Sequence, residues 1–403
     1  MAAGARLRTP PGHPHRPRRA GHRVREVEPA RRTALVDEVA RFVRSHPTVD
    51  LPEALDERFR WLVTYQGELH RAGLAVPSWP TEFGGRGVPI SEAIIILEEL
   101  GKARSPELIN FVAVEVLAPD LIAFADRQQL REWLPRMASA DEIWCQLFSE
   151  PDAGSDLASL RTRAHRVDDG WRITGRKVWS TWAQFADRGM LLARTGPTDS
   201  RHRGISAFVI DMRQPGIEVN PLVTMTGASE FAEVTFDDVP VDADGLIGEV
   251  DRGWAVTLHV LANERGPYAL RRAAMLRAAM ASVPERARGV DHTRTRASVI
   301  DAYIAMWLLD RRISQVADDI QTGQPVGEGA PITKMSLTDA EQLIFDAAHA
   351  LLGPHGVVGP DDLGWVEGWL YSRAASIYGG SAQVQRNIIG ERLLGLPPEP
   401  HPR

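Results

Sequence analysis

The stretch Arg161–Trp179, "RTRAHRVDDGWRITGRKVW", decides how the chain is organised. Its pattern has a period of two and is broken by Asp168-Asp169-Gly170, which predicts a β-hairpin with its turn at those residues. Further short strands follow at "GMLLAR" (Gly189–Arg194), "GISAFVIDM" (Gly204–Met212), "GIEVNPLV" (Gly216–Val223) and "FAEVTFDDVPV" (Phe231–Val241). In the last of these Val234 and Phe236 alternate with Glu233, Thr235 and Asp237, the pattern of a half-buried strand. On both sides the period becomes helical. Leu35, Val36, Val39, Phe42 and Val43 fall on one helical face. Apolar stretches of helical length also start at Pro52, Ile90, Val112, Arg127, Gly253, Arg296, Ala330 and Gly380. Strands gathered between two helical blocks, not alternating with helices, exclude a doubly wound sheet. The expected fold is mostly α with a central β domain. An N-terminal helical domain (30–143) precedes a small β-barrel-like domain (144–249) and a C-terminal four-helix bundle (250–397).

Composition narrows the function classes. Apolar content of 43% and charged content of 25% are those of a globular chain, and a net charge of −6 argues against a nucleic-acid-binding surface. The lone Cys145 excludes an internal disulfide framework and a thiolate cluster, so a reducing, cytoplasmic setting is expected, with no metal. The apolar run at Ala93–Leu100 is too short to span a bilayer, so no membrane segment is expected. The first 29 residues are rich in Arg, Pro, Gly and His without periodicity and read as a disordered basic tail; 398–403 form a second short tail. There is no Gly-rich phosphate cradle, no GxSxG elbow and no HExxH pair.

Two stretches carry the chemistry. "QLFSEPDAGSD" (Gln146–Asp156) gathers Ser149, Glu150, Asp152, Ser155 and Asp156 around Ala153-Gly154. "GRKVWSTWA" (Gly175–Ala183) places Trp179 two residues before Thr181, which suits a flat cofactor needing an indole wall and a hydroxyl at a ring nitrogen. Singly, each is equally a polar turn or a packed tryptophan. In order, with "GLAVPSWPTEFGGRG" (Gly73–Gly87), "FDDVPV" (Phe236–Val241) and "IYGGSAQVQRNIIGERLLGLP" (Ile377–Pro397), they resemble the acyl-CoA dehydrogenase family over about Leu35–Pro397. The resemblance implies FAD as cofactor, an acyl-CoA or acyl-carrier thioester as substrate, an electron-transfer flavoprotein as partner, and a homo- or hetero-tetramer. It implies that Phe148 and Ser149 meet the pyrimidine edge of the flavin. Ser155 would lie between pyrophosphate and substrate, Trp179 would wall the ring with Ser180 beside it, and Thr181 would bond to N5. Ser381 and Gln383 would hold the cofactor from the C-terminal side. The family's usual Arg-x-x-Phe-Gly stretch is replaced by "VDHTRTRASVIDAYI" (Val290–Ile304), where Arg294 or Arg296 can substitute.

The reaction needs a base for the α-proton, ideally a carboxylate in an apolar pocket. Many members carry that Glu directly after the tyrosine of the C-terminal signature; here the position is Gly379. In another subgroup the base comes from the first helix of the C-terminal domain, and the matching residue is Glu264 in "LANERGPYAL". Positions three and four away hold Val260, Leu261, Pro267 and Tyr268, so Glu264 has no basic partner at helical spacing and lies on an apolar stripe. Arg265 beside it, with Gly379 and Gly380, is expected at the substrate. Without a side chain at 379 the pocket gains room, consistent with a bulky or branched acyl group like those of bacterial enzymes acting on sterol side chains. Other readings are a structural, base-less subunit of a heterotetramer, a flavin oxidase or monooxygenase, and a dehydrogenase of acyl-carrier proteins.

Overall fold

The computed structural model describes residues 27–47, 51–263, 266–286, 295–324, 329–358 and 364–398. The basic tail other than its last residues, the tail beyond 398, Arg294, Glu264 and Arg265 lie outside the described residues.

The N-terminal block comprises α1 (Pro29–Ser45), α2 (Leu55–Arg71), α3 (Ile90–Lys102), α4 (Ala118–Phe124) and α5 (Arg127–Ser139). Leu35, Val39 and Phe42 of α1 are buried, as their shared face predicts. Helix α5 starts where Asp126 accepts from the Gln128 and Gln129 amides while Gln129 reaches back, a complete capping box. The stretch ahead of α4 departs from the simple helix expected: Val112–Leu117 winds as a π-helix, with every residue buried.

The sheet follows as β1 (Trp144–Leu147), β2 (Arg163–Val167), β3 (Gly170–Thr181), β4 (Arg188–Arg194), β5 (Ile205–Asp211), β6 (Ile217–Leu222), β7 (Phe231–Asp242) and β8 (Leu246–Ile247). Its order is β6-β7-β3-β2-β4-β5-β8, with β1 added parallel to β4. The β2–β3 hairpin forms with Val167 opposite Gly170, so its turn is the two residues Asp168-Asp169 and Gly170 already belongs to the strand. Strand β4 shows no polar face because both its faces are covered. Met190 and Leu192 join the core of the N-terminal helices, whereas Leu191 packs with Trp171, Phe208 and Phe236 inside the sheet domain.

The C-terminal block contains α6 (Gly253–Asn263), α7 (Pro267–Arg286), α8 (Arg296–Gln321), α9 (Ala330–Leu352), α10 (His355–Val358), α11 (Trp365–Ser372) and α12 (Ala382–Ile388). The sequence stretch from Gly253 to Val283, expected as one helix, is two: α7 begins at Pro267, which lacks the amide that a continuing helix would need. The last signature, expected as one full-length helix, is a short α12 followed by a π-helical turn at Ile389–Leu393. Leu270 and Leu276 of α7, Leu309 and Ile313 of α8, and Leu337 and Ile344 of α9 share one core.

Candidate active site

The two chemistry-bearing stretches of the sheet domain are joined by the backbone. The Val178 amide donates to the Ser149 carbonyl at 2.9 Å, which ties the loop after β1 to the end of β3. Beneath this bond the fully buried Lys177 donates to the Phe148 carbonyl at 3.0 Å and to Glu150 Oε1 at 2.8 Å. Glu150 also accepts from the Arg161 amide at 2.6 Å and the Thr162 amide at 2.9 Å. Burial alone would raise the Glu150 carboxyl, but the Lys177 charge and these hydrogen bonds together hold it below its ordinary value. Burial pulls the Lys177 ammonium down to about 8 against the opposing pull of Glu150. Phe148, Ser149 and Trp179–Thr181 therefore sit on one rigid support.

Trp179 shows what the support is for. The register of β3 against β7 slips between Lys177 and Ser180, and Trp179 in that bulge takes a left-handed φ of 61°. Such a backbone costs about 1–2 kcal/mol for an L-residue, and the Val178–Ser149 bond and the Thr181–Phe231 pairing enforce it. The bulge turns the indole out of the core: Trp179 is 60% exposed and packs edge-on against Phe231 at 6.1 Å. The adjacent Ser180 is completely buried, and its Oγ has no hydrogen-bond partner among the described residues. The open aromatic face of Trp179 suits a flat heteroaromatic ring.

Ser155 lies on the exposed end of the loop, two residues past the bridge between Glu150 and Ala153. In the C-terminal signature Gly379 (φ 61°) and Gly380 (φ 91°) are both left-handed, and Ser381 caps α12 by accepting from the Val384 amide at 3.3 Å. Gln383 is exposed. The buried glutamine, which sequence reading missed, is Gln385: its Nε2 donates to the Gly379 and Gly380 carbonyls at 3.3 Å each. Its position two residues on, facing back across the first turn of α12, was the signal available. Arg296 begins α8 and is exposed.

Three carboxyls that the sequence did not single out interact between the blocks, Glu115 buried and Glu107 and Glu230 half-buried. Glu230, just before β7, accepts from the Trp182 amide through its carbonyl at 2.7 Å. Burial pushes its carboxyl up to about 7, and Glu107 and Glu367 push it the same way. Glu107 is raised by burial too, with Arg272 and Arg271 pulling it back. Arg272 is held charged by Glu341, with one of its two bonds at 3.2 Å. Arg271 pairs with Glu115, whose carboxyl burial raises to about 7 against that pairing.

An all-helical block, a mixed sheet and a second helical block, with a braced aromatic wall on the sheet, form a three-part architecture suited to holding a flat cofactor. Residues 29–141, 145–239 and 251–394 match in turn the N-terminal, middle and C-terminal domains of acyl-CoA dehydrogenase. The chain is 36% identical over 352 residues to the acyl-CoA dehydrogenase IpdE1 of Mycobacterium tuberculosis, covering 86% of this chain and 90% of that protein. Among solved structures it is similar to the Tcur3481-Tcur3483 steroid ACAD, with TM-score 0.80 and 25% identity over 93% of this chain and 99% of that one. It is also similar to the ChsE4-ChsE5 complex from Mycobacterium tuberculosis, with TM-score 0.78 and 26% identity over the same shares. The chain belongs to the acyl-CoA dehydrogenase family. FAD is the cofactor of that family, and the exposed Trp179 indole suits its flat ring. No helix among the described residues is long and apolar enough to cross a membrane.

Proposed function

We propose that the protein dehydrogenates an acyl thioester between its α and β carbons, with Glu264 removing the α-proton. FAD supplies the acceptor for the β-hydride. Trp179 and the Phe148–Ser149 backbone hold the ring, Thr181 offers its hydroxyl to the polar edge with Ser180 packed beneath it, and Ser381 with Gln383 approaches from the C-terminal side. Ser155, Arg265 and the backbone of Gly379 and Gly380 position the thioester. The observation that carries the reading is the Val178–Ser149 bond, which fuses two separate motifs into one platform with the Trp179 face open.

Three features favour Glu264 as the base. The signature position at 379 is a left-handed glycine and offers no carboxylate. Val260, four positions before Glu264 in the sequence, is fully buried. Tyr268, four positions after it in the sequence, is raised well above the usual phenol range, chiefly by burial. The room left by Gly379 suits a bulky or branched acyl group. Electrons would leave to an electron-transfer flavoprotein.

An oligomer is supported by helix α8, where Ile300, Tyr303, Ile304, Trp307 and Leu308 form an exposed apolar stripe at helical spacing. The ChsE4-ChsE5 complex is a similar assembly of two different chains, which favours, as a second reading, a heteromer in which a partner chain supplies the base.

The test is anaerobic flavin bleaching by a panel of acyl-CoAs, with wild type and Glu264→Gln compared. Bleaching by wild type, with the rate lowered at least about a hundredfold in Glu264→Gln, is expected. A variant that bleaches as fast as wild type would refute Glu264. A yellow wild type inert to every thioester would favour the heteromer, and rapid reoxidation by oxygen the oxidase.

A further inference from the structure

The paired glycines of the C-terminal signature are held from inside the fold by one side chain. Gly379 and Gly380 are both left-handed, and Gln385 Nε2 donates to the carbonyl of each at 3.3 Å. Both acceptors are carbonyls, so the nitrogen of the Gln385 side chain, and not its oxygen, must face the turn. Its backbone is fixed as well. The Gln385 amide donates to the Ser381 carbonyl at 2.9 Å, and the Ser381 hydroxyl accepts from the Val384 amide. Gln385 is completely buried, yet its Oε1 has no hydrogen-bond partner among the described residues. Burying that oxygen unpaired is a cost that an apolar side chain of the same size would avoid. The two bonds made by the nitrogen are what offsets it.

The consequence lies on the opposite side of the turn. The peptide bonds of the described residues are trans, and across a trans peptide the N–H and C=O point in opposite directions. Drawing the Gly379 carbonyl towards Gln385 turns the Gly380 amide away from it, and drawing the Gly380 carbonyl turns the Ser381 amide the same way. Neither amide donates to an acceptor among the described residues. Glycine lets its peptide planes swing freely, so the turn by itself leaves their direction open. Resting on the thioester-dehydrogenase reading, which puts the Gly379–Gly380 backbone at the thioester, we infer that Gln385 is a positioning residue: it clamps both glycine carbonyls so that the amides across the turn stay aimed at the thioester carbonyl. That oxygen gains negative charge as the α-proton leaves, and donors fixed in advance stabilise it without reorganising. Gln385 acts only through the turn.

The probe is indoleacryloyl-CoA, an enoyl thioester that has no hydride left to give and whose absorption moves to longer wavelength as its carbonyl is polarised. Titrated to saturation into the flavin-loaded enzyme, it is expected to shift to the red. Gln385→Met, equal in length but without a donor, should lose at least about half of that shift. Gln385→His, whose ring nitrogen donates at about the same reach, should regain most of it. With the acyl-CoA that bleaches wild type fastest, Gln385→Met should lower the limiting bleaching rate about ten- to a hundredfold, and the half-saturating concentration should change less than about threefold. Should Gln385→Met not load flavin, Gln385→Asn, one methylene short of the carbonyls, carries the same expectation. A wild-type probe shift near zero, a shift left whole by removing the donor, or no recovery in Gln385→His would overturn the inference. So would a variant whose only change is a lower flavin content or urea midpoint, the mark of a merely structural residue. These readouts separate the clamp from the underlying reading. A Gln385-dependent probe shift with no bleaching by any thioester defeats only the dehydrogenase reading, and bleaching with a shift indifferent to Gln385 defeats only the clamp.

Discussion

Replacing Glu150 by alanine tests whether the flavin platform is held up by one buried ion pair. In the folded chain Lys177 is completely buried, and its ammonium has Glu150 Oε1 at 2.8 Å and the Phe148 carbonyl at 3.0 Å. Glu150→Ala leaves that charge in the interior with one neutral acceptor and orphans the Arg161 and Thr162 amides. Breaking a buried pair by removing one partner costs about 3–5 kcal/mol. Lys177→Met removes the charge itself and leaves Glu150 with its two amide donors, so its cost should be smaller, about 1–3 kcal/mol. The double variant Glu150→Leu/Lys177→Met should be more stable than the sum of the single losses, because neither ion is left alone. Urea denaturation of the holoprotein, followed by tryptophan emission and by release of fluorescent flavin, measures all three. The pH dependence has a fixed sign. Glu150 is held below its ordinary 4.5 when folded, so its contribution is complete above that value and is lost as pH falls through the folded value. The acid limb of the stability curve should therefore be shallower in Glu150→Ala. A Glu150→Ala midpoint indistinguishable from wild type, with flavin retained, would falsify the bracing role.

Other outcomes follow from the same geometry. Gly379→Glu should not restore activity to Glu264→Gln, because a side chain at a φ of 61° is strained by about 1–2 kcal/mol; bleaching by acyl-CoA in the double variant would show the reverse. The Glu230 carboxyl is raised to about 7, so its contribution to stability is complete below its ordinary 4.5 and is lost as pH rises through about 7. Glu230→Gln should flatten thermal stability across that window, and an unchanged slope would exclude Glu230 as its source. Trp307→Asp places a charge in the exposed stripe of α8 and should lower the assembly state seen by light scattering; an unchanged mass would place the interface elsewhere.

The braced wall shows where local reading stops. "KVWST" on a period-two stretch marks a strand and an aromatic, but ordinary alternation does not say that Trp179 faces outward. That follows from a one-residue slip against β7, set by pairings with residues about fifty positions away. The glutamine that clasps the paired glycines is Gln385, which local reading did not single out, because α12 starts at Ala382 and its first turn carries residue 385 back over Gly379.

What the sequence by itself determined is the order of helical, strand and helical blocks, the glycine in place of a signature carboxylate, and the motifs of the family. All of these are written in local periodicity or in contiguous residues. What only the tertiary structure decided is which polar groups are buried together. Lys177 meets Glu150 across 27 positions, Arg272 meets Glu341 across 69, and Glu107 comes within electrostatic reach of Arg272 from the other helical block. A charged residue in a sequence looks the same whether water or protein surrounds it. The physical difference is desolvation, which exists only once distant segments have closed over the group and left it either a partner or none.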